Sequence, residues 1–345
     1  MFTGIQGIEK ELVTAGLGRD EAALLAGLAR PAVWLRTHPA GDAQAIPRTR
    51  IGGLPDLPPG VEWPQRPAFG EDAQSVRELR KQIANPEAAW GHWASAEQCE
   101  QFRHDSEQHL ARLLRRSPLS FIAQFDFAEL WAAGPLDPDM PRSGVLSLFY
   151  DAFEQPWGFD PTDASCVRVL FHEAAEALTP RQAPDDLAAF GEAGVLPTLA
   201  GEPQACWTPL PLATATADRL GLSGEAEDCL HEWWTEDDRL YSSEGGEDWK
   251  CHHVGGWPTP VQGDMQTECA LVAAGQYCGN GDAYRDPALA PVRETATDWL
   301  LLVQIGSDEK AGMMWGDNGQ LYLWIRRADL QVRRFGAARL VLQCY

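Results

Sequence analysis

Apolar residues recur at helical spacing near the start of the chain and form short uninterrupted runs further along. Ile5, Ile8 and Leu12 are spaced as on one face of a helix, which predicts helical structure over residues 5–30. The run from Ala32 to Thr37 predicts the first strand. Later apolar runs predict further strands at 119–125, 145–150, 166–171, 299–305, 321–325 and 339–344.

Charged, helix-compatible residues fill the stretch 71–116 and predict a helical insertion. Helices and strands are mixed along the chain without strict βαβ alternation, which favours an α+β fold with mostly antiparallel sheets. The predicted organisation is an N-terminal helical segment over 1–30, a first half over 31–212 that contains the insertion, and a second half over 213–345. One compact unit is the alternative.

Three short sequence blocks occur twice, in the same order. The first is a Gly-Gly-x-Pro turn, at 52–55 and again at 255–258. The second is an apolar strand that carries Gln124 or Gln304, and the third is a glycine-led strand that follows each of them. The blocks predict an internal duplication, with two related β-rich halves about a pseudo-twofold axis and a groove between them. Each glutamine needs hydrogen-bond partners, and we expect the neighbouring Gly-Gly loop rather than a ligand to supply them.

The net charge indicates which classes of molecule the protein can bind. The 345 residues include 50 acidic and 28 basic ones, for a formal charge of −22. An acidic surface repels nucleic-acid phosphates and attracts cationic partners, so we expect no nucleic-acid binding. The acidic stretch 225–238 predicts a docking face for a basic protein, with Glu232, Trp233, Trp234 and Asp237 as contact residues. A solvated helix with a buried aromatic side is the alternative.

Cysteine usage and the N-terminus bear on the cellular compartment. The first residues lack the basic and apolar regions of a signal peptide. No apolar run approaches the roughly 20 residues needed to span a bilayer. The 8 cysteines are too sparse for a disulfide scaffold. These features predict a soluble cytoplasmic protein with no membrane association.

Glycine beside aspartate and tryptophan marks a candidate ligand site. The two motifs are Gln262-Gly263-Asp264-Met265 and Trp315-Gly316-Asp317. Glycine lets the backbone approach a ligand, and tryptophan offers a stacking face. Turn capping by the aspartates is the more common alternative. With the residues of the repeated blocks, the candidate ligand contacts are Arg50, Gln124, His253, Gln262, Asp264, Gln304, Trp315 and Asp317.

Signatures of catalysis and of cofactor binding are sparse. The sequence has no Gly-x-Ser-x-Gly elbow, no Walker A motif and no Rossmann glycine motif. Cys229, His231, Cys251 and His252 are of types that bind zinc, but their spacing matches no standard zinc site. We therefore predict no cofactor and leave open both zinc binding by these four residues and enzymatic activity.

The C-terminal part of the chain, together with the first Gly-Gly-x-Pro turn and the strand around Gln124, resembles the YwqG-like family of bacterial proteins. The residues that carry the resemblance are 254–265, 302–308 and 314–322. It implies an α+β fold and a domain of unknown function over roughly residues 31–345, and it transfers no catalytic residue. Gly306 stands where the family pattern usually has aspartate, which disfavours an enzyme. Some members are encoded near secreted toxins, which suggests an immunity role.

Two functions follow as expectations. The leading one is a non-enzymatic binding protein that engages a basic protein partner through its acidic surface, immunity proteins being one example. The alternative is a small-molecule binding protein or hydrolase that uses the groove between the halves. The alternative requires the candidate ligand contacts to meet in one accessible pocket. The sequence does not indicate an oligomeric state.

Overall fold

A ten-stranded antiparallel sheet organises the described part of the chain. The computed structural model describes residues 2–40, 48–173, 177–188, 194–235 and 252–345. The strands within these ranges are β1 (Arg30–Pro39), β2 (Arg50–Ile51), β3 (Asp56–Leu57), β4 (Gln65–Arg66), β5 (Ser117–Pro118), β6 (Ser120–Asp126), β7 (Val145–Tyr150), β8 (Val167–His172), β9 (Thr179–Pro180), β10 (Leu199–Thr208), β11 (His252–Gly255), β12 (Trp299–Gly306), β13 (Gln320–Arg326) and β14 (Arg339–Gln343). The main sheet has the order β14-β13-β12-β11-β1-β10-β2-β6-β7-β8. Strands β3 with β9, and β4 with β5, form two small additional pairs.

Helices connect and cover the strands. In the described ranges they are α1 (Ile5–Thr14), α2 (Arg19–Gly27), α3 (Gln74–Ala84), α4 (Pro86–Trp90), α5 (Ala96–Leu113), α6 (Phe127–Ala133), α7 (Asp185–Ala188), α8 (Ala215–Asp218), α9 (Gly224–Thr235), α10 (Met265–Ala273), α11 (Asp282–Arg285), α12 (Ala290–Arg293) and α13 (Arg327–Gln331). Helices α1 and α2 form the predicted N-terminal segment, and α3 to α5 form the predicted insertion. The predicted α+β class with antiparallel strands is confirmed.

The two faces of the main sheet carry different cores. Strands β6 and β12 are buried at every position, because both faces of the sheet are covered there. One face carries a single large cluster that includes Val33, Leu35, Leu148 and Leu323. The opposite face carries separate clusters over the two flanks and a small one of Ala32, Trp34 and Cys206 at the centre. A further cluster joins α1, α2 and α9 to Trp257 and Trp207.

The central strands β1 and β10 join the two flanks. They pair along ten residues, from Arg30 opposite Thr208 to Pro39 opposite Leu199. Strand β1 also pairs with β11, and β10 with β2. The predicted halves therefore share one continuous hydrogen-bonded sheet.

A buried arginine fixes the helical insertion to the sheet. Arg66 is 1% exposed, and its Nε donates to Asp151 Oδ2 at 2.6 Å. Its terminal nitrogens donate to the backbone oxygens of Arg112, Leu113 and Arg115, at 3.2, 3.4 and 3.0 Å. Arg66 thus satisfies carbonyls at the C-terminal end of α5 that have no partner within the helix.

The helices of the structure bear on the prediction that the protein has no membrane association. Among the described residues, no helix is both long enough and apolar enough to cross a bilayer. The cytoplasmic location stays a prediction.

Candidate functional site

The first Gly-Gly-x-Pro loop is held by Gln124 on β6. The Gln124 side-chain oxygen accepts from the Asp56 backbone N–H at 2.9 Å, and its nitrogen donates to the Arg48 carbonyl at 3.0 Å and to Asp56 Oδ2 at 3.1 Å. Arg50, which pairs with Gln124 across the strands, forms an ion pair with Asp56 at 2.9 Å. Arg50 also donates to the Leu54 carbonyl at 2.6 Å. This loop is closed by its own hydrogen bonds.

The second loop is held in the same way by Gln304 on β12. The Gln304 side-chain oxygen accepts from the Thr259 N–H at 2.9 Å, and its nitrogen donates to Thr259 Oγ1 at 2.6 Å and to Gln320. His253 pairs with Gln304 across the strands, as Arg50 pairs with Gln124. Both glutamines are fully buried, and their bonds run to the loops, as the preferred sequence interpretation holds.

The first glycine of each loop has a backbone conformation that favours glycine. The φ angle is +65° at Gly52 and +72° at Gly255. A Cβ at Gly52 would lie 2.1 Å from the Pro197 carbonyl oxygen. A Cβ at Gly255 would meet its nearest neighbour, a methyl carbon of Leu136, at 3.2 Å. Gly52 is thus packed against backbone, and Gly255 has more space around it.

The remaining ligand candidates have structural contacts. Asp264 caps α10 by accepting from the N–H groups of Gln266 and Thr267, at 2.8 and 3.2 Å. Gln262 donates to the Cys344 carbonyl at 2.8 Å. These contacts correspond to the capping alternative and give neither side chain a place in a pocket with the strand glutamines.

Trp315 and Asp317 lie in the loop between β12 and β13. The Trp315 ring is 1% exposed, and its Nε1 donates to the Gly306 carbonyl at 3.1 Å. Asp317 is exposed, and its backbone oxygen accepts from the N–H of Tyr345. The buried indole offers no free stacking face, so these two residues do not form the predicted ligand site with each other.

An aromatic cleft lies at the central strands of the sheet, beside the cluster of α1, α2 and α9. It contains about 480 Å³ of empty space, including its opening to solvent. The residues that line it are Phe2, Trp34, Cys206, Trp207, Thr208, Pro209, Trp234, His253, Pro258 and Thr259. Of the eight candidate ligand contacts, all of them within the described ranges, only His253 lines this cleft.

His253 and Trp34 lie side by side in the floor of the cleft. They are directly opposite each other on β11 and β1, so their side chains share one face of the sheet. They are 6% and 7% exposed. The His253 Nε2 and Trp34 Nε1 atoms are buried, and neither has a hydrogen-bond partner within the described residues. Buried polar atoms usually have partners, and those that lack one require an explanation.

The protonation state of His253 follows from its surroundings. Burial lowers the pKa of His253 to about 4, and the Gly255 carbonyl and the Gln304 side chain offset only part of this effect. His253 Nδ1 lies 3.0 Å from the Gly255 carbonyl oxygen, which can only accept, so Nδ1 carries the proton. Near neutral pH the Nε2 atom is therefore a bare hydrogen-bond acceptor.

The candidate partner contacts separate into buried and accessible residues. Trp233 is 9% exposed and packs in the cluster of α1, α2 and α9, so it is not a surface anchor. Trp234 is half-buried and lines the cleft, while Glu232 is exposed. Asp237 lies outside the described residues.

The zinc candidates lie on different elements. Cys229 on α9 donates to the Ala15 carbonyl at 3.1 Å, and His252 on β11 lies 3.4 Å from Asp308. His231 is exposed on α9, and Cys251 lies outside the described residues. Within the described ranges, no three His, Cys, Asp or Glu side chains are grouped so that they could hold a metal ion.

Sequence reasoning missed most of the cleft. Trp34, Cys206, Trp207 and Phe2 come from distant parts of the chain and form no local motif. The 14 tryptophans were the available signal, since tryptophan favours cores, clefts and interfaces. That signal does not say which of them meet.

Comparison with known proteins assigns the chain to a family whose function is unknown. A search of curated proteins gives no match. A family model matches residues 49–344, which is most of the chain and includes both Gly-Gly-x-Pro loops, both strand glutamines and His253. The chain therefore belongs to the family described as a domain of unknown function, DUF1963.

Proposed function

We propose that the protein binds a small, largely apolar molecule in the central aromatic cleft. The observation that carries the proposal is the cleft itself, in which aromatic rings surround a buried acceptor, His253 Nε2, that lacks a partner among the described residues. Ligand sites are typically concave and mostly apolar, with a few placed polar groups and perturbed pKa values. His253 and its surroundings have these properties.

The location of the cleft also supports the proposal. It lies where the two flanks of the sheet meet, and its lining comes from β1, β10, β11, the second Gly-Gly-x-Pro loop, α9 and Phe2. A cleft at the junction of structural units is a frequent place for ligands. Unlike the groove predicted from the sequence, it contains only His253 of the eight candidate ligand contacts.

We further propose that the two flanks arose by internal duplication and that the chain is a YwqG-like member of its family. Gln124 and Gln304 each bind the backbone N–H three residues after the second glycine of a loop. Each strand also has a β-bulge two residues before its glutamine, at Ile122 and Leu302. Independent origins would not require the same bulge at the same distance from the same residue type.

Ligand-induced stabilisation tests the binding function. Toluene is a suitable probe because it is apolar and about the size of one side-chain ring. We expect saturating toluene to raise the melting temperature by about 2 °C or more, since a ligand that binds only the native state stabilises it. Cys206→Leu, which fills part of the cleft, should abolish this shift, while Cys99→Leu in the insertion should not. No shift in the wild-type protein, with toluene or with other aromatic probes of similar size, would refute the proposal.

A basic protein partner is the second candidate function. The observation that favours it is the surface of α9, where Glu225, Glu227, Asp228 and Glu232 are exposed. The same helix carries Trp234 at the cleft, so a partner on this surface would also cover the cleft. An octalysine peptide should bind with an affinity that falls as salt rises. Replacing the four carboxylates by amides should remove this binding, and equal binding by that variant would exclude the surface.

A further inference from the structure

The polar atoms of the cleft restrict the chemistry of its occupant. His253 Nε2 carries a lone pair and no proton, because Nδ1 holds the proton against the Gly255 carbonyl. A complementary group must therefore donate a hydrogen bond to it. The neighbouring Gln304 side chain lies close enough to His253 to raise its pKa, and its amide is also bound to Thr259 and Gln320.

The tryptophans of the cleft require the occupant to accept a hydrogen bond. An indole N–H can only donate. Trp34 Nε1 and Trp234 Nε1 are buried and have no acceptor within the described residues. Since Trp34 lies directly opposite His253, one small group placed between the two rings would need to accept from one and donate to the other.

The rest of the described lining is unfavourable for a charged occupant. Among the described residues, no Asp, Glu, Lys or Arg side chain lines the cleft. An ion placed there would lose its hydration without gaining a counter-charge, which is costly. A sugar would present more hydroxyl groups than the few polar atoms of the lining can satisfy.

Given the binding function proposed above, we propose that the ligand is a neutral, largely apolar molecule with one hydroxyl group. The hydroxyl donates to His253 Nε2 and accepts from Trp34 Nε1. The apolar part of the molecule packs among Trp207, Trp234 and Pro258. This assigns His253 as the residue that determines specificity in the cleft.

Phenol and toluene test this assignment because they differ by one hydroxyl group. Isothermal titration of the full-length protein should show phenol binding about tenfold tighter than toluene, since the hydroxyl satisfies two buried groups. Benzylammonium and benzoate, which are charged and of similar size, should bind more weakly than toluene. His253→Phe should retain toluene binding and reduce the preference for phenol to less than about twofold. Trp34→Phe, which keeps a ring and removes the N–H, should reduce the preference in part.

His38→Phe provides the matched control. His38 is exposed on the same strand as Trp34 and does not line the cleft, so this variant should keep the full preference for phenol. Equal affinities for phenol and toluene in the wild-type protein would overturn the ligand class and leave the binding function intact. Tightest binding by either ion, or an unchanged preference in His253→Phe, would also overturn the ligand class. Failure of all four probes to bind would overturn the binding function.

Discussion

The two Gly-Gly-x-Pro loops have the same framework and differ in the side chain beside the strand glutamine. In the first loop this side chain is Arg50, which is closed off by its ion pair with Asp56 and its bond to Leu54. In the second loop it is His253, and threonine takes the place of the aspartate. His253 has a buried acceptor, Nε2, without a partner among the described residues, whereas the guanidinium of Arg50 is bound within its own loop.

The comparison distinguishes residues that hold both loops in place from residues that occur only beside the cleft. A glutamine that binds the loop backbone occurs on both flanks, so it belongs to the fold. The exchange of a buried ion pair for a neutral histidine and a threonine occurs on one flank only. If the proposed duplication and the proposed ligand site are right, the ligand lies at the framework position where the two loops differ, and four predictions test the comparison.

Alanine substitutions of the first glycines of the two loops should show the largest difference in unfolding free energy. Gly52→Ala should lower the free energy of unfolding by about 4 kcal/mol, because its Cβ would meet the Pro197 carbonyl oxygen at 2.1 Å in a left-handed conformation. Gly255→Ala should cost only about 1 to 2 kcal/mol, the cost of that conformation for alanine. Urea unfolding followed by tryptophan fluorescence measures both. Equal losses would mean that the two loops are packed alike.

Substitutions of the side chains beside the glutamines should show the second-largest difference in unfolding free energy. Arg50→Met should cost about 3 kcal/mol, because it leaves the Asp56 carboxylate without its buried partner. His253→Phe should cost less than about 1 kcal/mol, because the lost bond to Gly255 is offset by removal of an unsatisfied acceptor. Urea unfolding at neutral pH gives both values. A larger loss for His253→Phe than for Arg50→Met would reverse the comparison.

The two glutamines should behave alike. Gln124→Leu and Gln304→Leu should each cost about 2 kcal/mol, because each leaves a loop N–H, that of Asp56 or Thr259, without its acceptor. Thermal unfolding of both variants checks this equality. If one substitution were nearly neutral, the two loops would not share a framework and the proposed duplication would lose its main support.

The smallest effect is a dependence on pH that only the second loop should show. Between the lowered pKa of His253, about 4, and its ordinary value of 6.5, the unfolded chain binds a proton that the native protein does not. The stabilisation from neutral His253 is complete above about pH 6.5 and is lost as the pH falls towards 4, with about 2 kcal/mol lost at pH 5. The first loop has an arginine, and not a histidine, at this position.

The measurement is the difference in unfolding free energy between the wild-type protein and His253→Phe, which should shrink or reverse by about 2 kcal/mol between pH 7.5 and pH 5. A difference is needed because burial raises the pKa of Glu268 to about 7 and that of Asp163 to about 6, which has the opposite effect in an overlapping range. Those groups are common to both proteins. A constant difference would show that His253 is not buried as a neutral ring.

Most strands of the main sheet were predictable because their pattern is local. The run 145–150 coincides with β7, and the run 119–125 lies within one residue of β6, since both strands are apolar and buried on two faces. The central strand β10 was not predicted. Gly201, Glu202 and Pro203 interrupt its apolar pattern, and it becomes a strand through ten-residue pairing with β1.

The candidate site was predictable in part for the same reason. The repeated blocks identified Gln124 and Gln304, whose bonds to the loops need only a strand and a turn that are close together. His253 was selected by its place in the second block, and Trp234 by its acidic surroundings. Nothing local connected His253 with Trp234, because they lie on different elements that only the tertiary structure brings to one cleft.

By itself, the sequence determined the turns, the strand runs, the insertion and the position of the loop-binding glutamines. These depend on left-handed glycine conformations and on apolar periodicity, which act over a few residues. Only the tertiary structure decided that β1 and β10 would join the flanks and bring Phe2, Trp34, Trp207 and Trp234 around His253. Such a cleft is made by side chains from distant segments, so its existence depends on strand pairing and not on any local pattern.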